Sequence, residues 1–185
     1  MKEVKYNLQF MSDWSCGSGL DAGVESDVLP IKDAKGLPFV PGKTIKGILR
    51  EAAEEINEVR SNQYAAQIDA LFGVGADARD EGGQQGQAFF SDVVLPQKEA
   101  EEICSNGLQE QLFRRISFTA IQPNGIVKPH TLRTFEFCMP LTLKGSVWLY
   151  VEDEAVKTLL HQAFKWVRYI GIGKNRGFGR CIIST

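Results

Sequence analysis

One sequence feature limits the fold of this chain more than any other. In several segments, apolar and polar residues alternate. Between these segments lie two others in which the apolar residues recur at helical spacing. Alternation predicts half-buried strands, whereas apolar residues at i, i+3, i+4 and i+7 predict amphipathic helices. The predicted strands are residues 4–10, 89–95, 115–121, 134–139, 141–151 and 181–184, and the two main predicted helices are residues 44–60 and 156–167.

The order of these segments predicts an α+β fold. Strand, helix, strand, inserted hairpin, strand, helix and strand fit a ferredoxin-like (RRM-like) βαββαβ core with both helices on one face of the sheet. Asp153 is placed to cap the second main helix. Asn124-Gly125 is a turn signal that predicts a projecting β-hairpin. We expect residues 1–185 to form a single domain.

Shorter elements are predicted between the main ones. A short helix is expected at residues 62–72, and a short polar helix is expected after Pro96 as far as Asn106-Gly107. Residues 75–87 are rich in Gly, Gln and Asp, which predicts a mobile acidic loop.

The composition indicates a globular protein outside the membrane. The chain is 43% hydrophobic and 24% charged, and it contains no apolar run near the roughly 20 residues of a membrane helix. Its first ten residues alternate and lack the apolar segment of a signal peptide, so we expect a cytoplasmic protein. The four cysteines are far apart and form no CxxC pair, which predicts reduced packing residues: Cys16, Cys104, Cys138 and Cys181.

Charge is distributed unevenly along the chain. The net charge of −2 argues against a protein that coats nucleic acid by electrostatics alone. However, residues 155–185 contain six bases and no acid, whereas residues 76–102 contain seven acids and two bases. The sequence therefore predicts a local basic surface on an acidic protein.

Two segments combine cations with structure suited to binding phosphate. In the first, Lys43, Lys46 and Arg50 lie at the start of a predicted helix, where free N–H groups and the macrodipole favour anions. The alternative for this segment is a turn followed by a solvated helix face.

The second segment is the glycine-rich run GIGKNRGFGR at residues 171–180, which carries Lys174, Arg176 and Arg180. Glycine permits positive φ and close approach to a ligand, and the cations add phosphate donors. The run leads from a helix into a strand, which excludes the P-loop and dinucleotide-binding motifs. A simple helix-to-strand connector remains the alternative. Phe178 is suited either to stacking on a base or to anchoring the loop in the core.

The two histidines give no sign of an active site. His130 lies in the predicted hairpin loop and His161 on the polar side of the second main helix. Neither has a partner at the spacing of a metal site or a catalytic triad, so we expect surface or structural roles.

Three motifs together resemble one family. They are GLPFVPGKTIKGILR at residues 36–50, Leu71-Phe72-Gly73 followed by Phe89-Phe90-Ser91-Asp92, and the run GIGKNRGFGR. The combination resembles the repeat-associated mysterious protein (RAMP) superfamily of CRISPR effector proteins, and within it the backbone subunits of type III effector complexes. The resemblance implies an RNA-recognition-like core, a thumb hairpin at about residues 121–133, and assembly along a guide RNA with copies of itself and other effector subunits.

The same resemblance implies roles for single residues. Contacts with guide phosphates are implied for Lys43, Lys46, Arg50, Lys174, Arg176 and Arg180, and the thumb would separate the guide from the target RNA. Asp27, Lys32 and Asp33 keep the spacing found in members that cut the target RNA, which makes Asp27 the implied catalytic residue and Mg²⁺ ligand. Two alternatives remain: a non-catalytic structural RNA-binding subunit, and a stand-alone endoribonuclease that processes the guide precursor.

Overall fold

The computed structural model describes residues 1–17, 29–75 and 83–185, which form a mixed α+β structure with antiparallel sheets. The strands are β1 (Lys2–Phe10), β2 (Gly73–Val74), β3 (Gln84–Gln85), β4 (Ala88–Phe90), β5 (Phe113–Phe118), β6 (Arg133–Cys138), β7 (Thr142–Leu149) and β8 (Cys181–Ser184). The helices are α1 (Gly42–Val59), α2 (Ala65–Phe72), α3 (Gln97–Ser105) and α4 (Glu154–Trp166).

Four strands form the main sheet in the order β4, β7, β1, β8, and each neighbouring pair is antiparallel. In the centre, Leu8 of β1 lies opposite Leu143 of β7 and Ile183 of β8, and all three side chains are buried. The alternate residues of β1, such as Lys5, are exposed. One face of the sheet is therefore buried and the other open, which is the arrangement that the alternating pattern predicts.

The two long helices, α1 and α4, pack on the buried face. The ring of Phe164 in α4 lies 4.9 Å from that of Tyr6 in β1, and α1 packs against α4 and β4. The predicted cap of α4 is confirmed, because Asp153 Oδ1 accepts a hydrogen bond from the N–H of Ala155 at 2.8 Å. Within the described ranges, no helix is long and apolar enough to cross a membrane.

The strand predicted at residues 89–95 ends early, at Phe90. Val93 then pairs with Val40 in an isolated bridge near the start of α1. Ser91 accounts for the interruption, because its Oγ replaces a backbone acceptor and receives a hydrogen bond from an N–H of β7 at 2.9 Å. Pairing with β7 resumes at Val94, which exchanges two backbone hydrogen bonds with Lys144, at 3.0 and 2.7 Å. The predicted strand is therefore interrupted rather than lost, and the interruption turns Val93 towards α1.

β5 and β6 form a separate antiparallel hairpin, close to the two strands predicted there. In the connection, the N–H of Gly125 donates to the carbonyl of Gln122 at 2.9 Å, and Gly125 has a φ of +80°. This geometry agrees with the turn signal. The side chains of Ile121 and Ile126 near the turn are exposed.

The short helices α2 and α3 lie close to their predicted positions. The pair formed by β2 and β3 was not predicted. β3 lies within residues 75–87, for which only a loop was predicted, so that prediction is wrong at Gln84–Gln85. Residues 76–82 of the same segment lie outside the described residues.

All four cysteines are free thiols, as predicted. Cys16, Cys138 and Cys181 are buried, whereas Cys104 is half-buried. Burial raises the pKa of each of the three buried thiols from 9.0 to about 12. They pack as small apolar side chains.

Candidate nucleic-acid interface

The glycine-rich loop, residues 171–180, is fixed against the body of the protein at both ends. Gly171 and Gly179 have φ values of +93° and +70°. A Cβ at these positions would overlap the carbonyl oxygens of Ser15 and Ile170, respectively. The two glycines therefore permit close contact with the protein's own backbone, which sets the position of the loop.

The middle of the loop faces solvent. Gly173 and Gly177 both have left-handed backbone conformations, and they enclose a single 3₁₀ turn at Lys174–Arg176. Lys174 and Arg176 are exposed, and a Cβ on Gly177 would meet no atom within 4 Å. This part of the loop offers two cations and open backbone to a ligand.

A cleft of about 470 Å³ lies between the glycine-rich loop and the β5–β6 hairpin, and we call it the loop cleft. Its lining combines aromatic rings with cations. The rings are those of Phe118, Phe135, Phe137 and Phe178, and the polar side chains are Lys174, Asn175 and Arg176. Rings that stack on bases, next to cations that meet phosphates, are the elements that bind single-stranded nucleic acid.

The rings and cations of the loop cleft hold one another in place. Phe178 stacks on the buried ring of Phe137, with centroids 4.3 Å apart and an angle of 21° between the planes. The guanidinium carbon of Arg176 lies 4.8 Å from the centroid of Phe118. Phe178 is half-buried, so it both anchors the loop and lines the cleft.

A second hollow, of about 330 Å³, continues from the loop cleft along the hairpin. Arg176 and Phe118 line both spaces, and the second also contains His130 and Arg133. His161, in contrast, is exposed on α4, with its ring 6.3 Å from that of Phe164.

Arg180 ends the glycine-rich loop but is not among the residues that line the cleft. Its N–H donates to Ser12 Oγ at 3.0 Å, and its carbonyl accepts from the N–H of Met11 at 2.7 Å. The backbone of Arg180 thus ties the loop to the segment after β1, while its side chain is exposed.

The start of α1 already holds an anion from the protein itself. The N–H of Gly42 donates to Oδ1 of Asp92 at 2.8 Å. A Cβ on Gly42 would overlap the carbonyl oxygen of Phe90, so glycine allows the helix to begin against this segment. The carboxylate satisfies one of the free N–H groups that would otherwise attract phosphate.

The three predicted cations of α1 differ in their surroundings. Lys43 is exposed and Lys46 is half-buried. Arg50 has partners within the protein, because its Nε lies 2.8 Å from Glu54 Oε1 and its Nη1 lies 3.4 Å from the carbonyl oxygen of Gly73.

The structure does not bring the cations of α1 and those of the glycine-rich loop together. Residues three, four and seven apart share a helix face, so Lys43, Lys46 and Arg50 occupy one side of α1. The side of α1 that shares a hollow with Lys174 carries Ile48 and Glu51 instead. Lys43, Lys46 and Arg50 therefore lie on a different side of α1 from the side that Lys174 faces.

Asp27 lies outside the described residues, so its predicted catalytic and metal-binding roles stay predictions. The two residues that share its motif have structural contacts. Lys32 Nζ lies 3.1 Å from Glu136 Oε2 and 3.8 Å from the centroid of Phe113. Asp33 Oδ1 accepts hydrogen bonds from the N–H groups of two residues in the following turn, at 2.8 and 2.9 Å.

Within residues 1–17, 29–75 and 83–185, no group of three or more His, Cys, Asp or Glu side chains could hold a metal ion. Asp27, the predicted Mg²⁺ ligand, lies outside these ranges, so the predicted Mg²⁺ site stays a prediction.

Two features of the interface are not predicted by the sequence analysis. Asp92 belongs to one of the three motifs, but its contact with Gly42 joins residues 50 positions apart in the chain. The aromatic wall was missed as well, although Phe135 and Phe137 have the two-residue spacing that places side chains on one face of a strand.

The fold and the interface define a mixed α+β protein with antiparallel sheets and a basic glycine-rich loop beside an aromatic cleft. The chain belongs to the RAMP superfamily, whose family model matches residues 7–182.

Among solved structures, the chain is similar to a chain in the cryo-EM structure of the type III-B Cmr-beta complex bound to cognate target RNA. The TM-score is 0.73 at 10% sequence identity, over 99% of this chain and 96% of the other. No curated protein matches the sequence significantly.

Proposed function

We propose that the protein is an RNA-binding subunit of a type III CRISPR effector complex, and that it holds single-stranded guide RNA at the loop cleft. The observation that carries the proposal is the shared lining of that cleft by four phenylalanine rings and the exposed cations Lys174 and Arg176. Membership of the RAMP superfamily and the fold similarity to a chain of the Cmr-beta complex support the type of assembly.

The architecture supports a ferredoxin-like core with a thumb. The sheet order β4, β7, β1, β8 and the two helices on one face are the arrangement of a βαββαβ unit. We assign the β5–β6 hairpin, with its exposed apolar tip, as the thumb that separates the guide from the target RNA. The 185 residues act as one domain in this proposal.

The loop cleft suits RNA because its cations match the phosphate of a nucleotide and its aromatic rings match the base. Phosphates contact Lys174 and Arg176, and bases lie against the half-buried rings of Phe118, Phe135 and Phe178, whereas Phe137 supports Phe178 from beneath. Arg176 already packs on Phe118, so its guanidinium is oriented before RNA binds, which lowers the entropic cost of binding. Lys43, Lys46 and Arg50 form a second group of guide contacts, on the other flank of α1.

Single-stranded RNA binding by the purified protein tests the proposal. We expect Lys174→Gln and Arg176→Gln each to weaken binding and to lower the slope of log K against log salt by about 0.7. Lys98→Gln, at an exposed position on α3 away from the cleft, is the matched control. If both cleft variants retain the wild-type slope and affinity, the cleft does not bind phosphate.

Cleavage of target RNA is a separate part of the proposal and depends on Asp27. The test is to assemble the protein with guide RNA and companion subunits, add complementary target with Mg²⁺, and compare wild type with Asp27→Ala. We expect cutting by the wild type alone. Equal cutting by both would exclude Asp27, and no cutting by either would favour a structural subunit. Cutting of free guide precursor by the isolated protein would favour the processing enzyme instead.

A further inference from the structure

We propose that bound single-stranded RNA continues beyond the loop cleft onto a second surface, formed by Arg60, Lys165, Trp166, Arg168 and Tyr169. We call it the Trp166 surface. This inference rests on the proposed RNA-binding function and extends it to residues that the motifs of the sequence did not single out. Bases would stack on Trp166 and Tyr169, and phosphates would contact the neighbouring cations.

The loop cleft and the Trp166 surface are neighbours that share a lining residue. Lys174 lines the cleft and also lines a hollow of about 170 Å³ that contains Trp166, Arg168 and Tyr169. Trp166 and Arg168 in turn line a further hollow of about 400 Å³, which extends to Arg60 and Lys165. A single strand that leaves the cleft at Lys174 thus meets a connected series of concave spaces.

The backbone after α4 explains why these side chains face outward. The helix ends at Trp166, and the chain then extends, with Val167 and Ile170 buried. The residues between them point away from the core. As a result, Trp166 is 45% exposed and Tyr169 is 40% exposed, so both rings are accessible to a ligand.

The Trp166 ring is held in a defined orientation. Its Nε1–H donates to Oε2 of Glu55 in α1 at 2.5 Å. This bond engages the edge of the indole, so the face of the ring stays available for stacking on a base. Tyr169 is fixed through its backbone, which pairs with Arg180 in an isolated bridge at the end of the glycine-rich loop. The Trp166 ring and the Tyr169 backbone are therefore held in place before a base arrives.

The charges favour a polyanion. Residues 155–185 contain no acid, and this segment supplies Lys165, Arg168 and Lys174 to the surface. The opposing carboxylates are Glu51 and Glu55 of α1, which line the middle hollow, and Glu55 already bonds to the indole. On the side of the larger hollow, the lining includes Arg60, Lys165 and Arg168 and, among the described residues, no carboxylate. We infer that the phosphates run along that side.

An acidic protein segment would also meet cations and aromatic rings here. RNA is favoured because the Trp166 surface adjoins the loop cleft through Lys174 and because alternating aromatic and cationic side chains, as in Lys165-Trp166-Val167-Arg168-Tyr169, suit successive nucleotides. Measuring RNA binding and subunit association in the same variants distinguishes the two ligands.

The test measures binding of single-stranded oligouridine RNAs from about 4 to about 16 nucleotides in length. It compares the wild type with the double variant Trp166→Ala/Tyr169→Ala. We expect equal binding of the shortest RNAs, which the loop cleft alone accommodates. For the longest RNA, we expect the double variant to bind at least about fivefold more weakly, because stacking on the two rings is lost.

Two controls keep the result specific. Phe89→Ala removes an exposed ring that pairs with Trp148 on the open face of the sheet, and we expect it to change RNA binding at no length. Trp166→Phe/Tyr169→Phe retains the rings, and we expect it to restore most of the affinity for long RNA. Thermal unfolding of each variant establishes that the comparison is made between folded proteins.

The outcomes separate this inference from the proposed function. If short RNA binds and Arg176→Gln weakens it, but the Trp166 and Tyr169 variants bind every length like wild type, the extension is wrong and the cleft proposal stands. If Arg176→Gln has no effect on short RNA, the cleft proposal itself fails. If the double variant keeps full RNA binding but no longer associates with purified companion subunits, the Trp166 surface binds protein and the inference is overturned.

Discussion

The start of α1 and the glycine-rich loop both carry cations next to backbone N–H groups, yet the structure gives them different surroundings. At the start of α1, a carboxylate from Asp92 already accepts the N–H of Gly42. In the glycine-rich loop, Lys174 and Arg176 face an aromatic cleft and remain exposed. The comparison teaches that a cation-rich segment identifies a candidate anion site, whereas the neighbouring side chains determine whether that site is open.

Glycines contribute to both regions in related ways. Gly42 and Gly179 each allow contact with backbone that a Cβ would overlap, whereas Gly177 lies in open space. In the loop, the glycines at the ends set its position and those in the middle expose it. Glycine thus permits close backbone packing at one position and leaves the backbone accessible to a ligand at another.

The largest expected effect separates these two uses of glycine. Gly179→Ala should lower the free energy of unfolding by about 3 kcal/mol, because its Cβ would overlap the carbonyl oxygen of Ile170 at a φ of +70°. Gly177→Ala, at a φ of +84° with no atom within 4 Å, should cost only about 1 kcal/mol. Urea denaturation of both variants measures the difference. Equal costs would mean that the loop is not held by close packing at Gly179.

The next effect compares the two groups of cations directly. Arg176→Gln should weaken single-stranded RNA binding about tenfold, since it removes a charged contact from an open cleft. Arg50→Gln should weaken it less than about threefold, because Arg50 already pairs with Glu54 at the surface.

Titration of labelled RNA at several salt concentrations measures both effects. Lys98→Gln again reports the effect of removing a charge elsewhere. A larger loss for Arg50→Gln than for Arg176→Gln would make the flank of α1, rather than the loop cleft, the main RNA surface.

Much of the fold was predictable because periodicity and burial have the same cause. In β1, the residues that alternate in sequence alternate in burial, and in α4 the apolar stripe and the Asp153 cap are local features. These contacts depend on residues close together in the chain, so the sequence contains the necessary information.

The candidate site was less predictable because its parts meet only after folding. Phe118 and Phe178 are 60 positions apart in the chain, yet their ring centroids lie 5.8 Å apart in the loop cleft. Asp92 reaches α1 because Ser91 takes a sheet hydrogen bond and ends β4 early. Neither contact leaves a periodic signal. The sequence shows that the loop carries cations, but it does not predict the aromatic wall that Lys174 and Arg176 face.

The third prediction concerns the anion at the start of α1. Asp92→Ala should lower the free energy of unfolding by about 1 kcal/mol, as loss of an N-terminal capping group does. Asp92→Asn keeps an acceptor oxygen and should lower it by less. Thermal or urea denaturation measures these changes. If Asp92→Ala instead raised RNA affinity several-fold, the start of α1 would accept phosphate once its own carboxylate is removed. The carboxylate of Asp92 would then compete with RNA phosphate for this site, which has no counterpart in the loop.

The smallest effect at neutral pH comes from the thiols beneath the loop. Burial raises the pKa of Cys16 and Cys181 from 9.0 to about 12. Because the folded-state pKa lies above the unfolded value, the contribution of these thiols to stability is complete below about pH 9. It is lost as the pH rises from 9 towards 12.

We therefore expect the free energy of unfolding to be insensitive to ionisation of these thiols at pH 7 and to fall above pH 9, more steeply in wild type than in Cys181→Ala. Cys181 lies at the start of β8, directly after the glycine-rich loop, whereas the start of α1 has no cysteine in its sequence. Alkaline pH should consequently loosen the loop before it affects α1. Hydrogen exchange of the two segments, compared between pH 8 and pH 10 after correction for the intrinsic rates, tests this order. Parallel loosening of both would show that the buried thiols stabilise the protein as a whole rather than the loop.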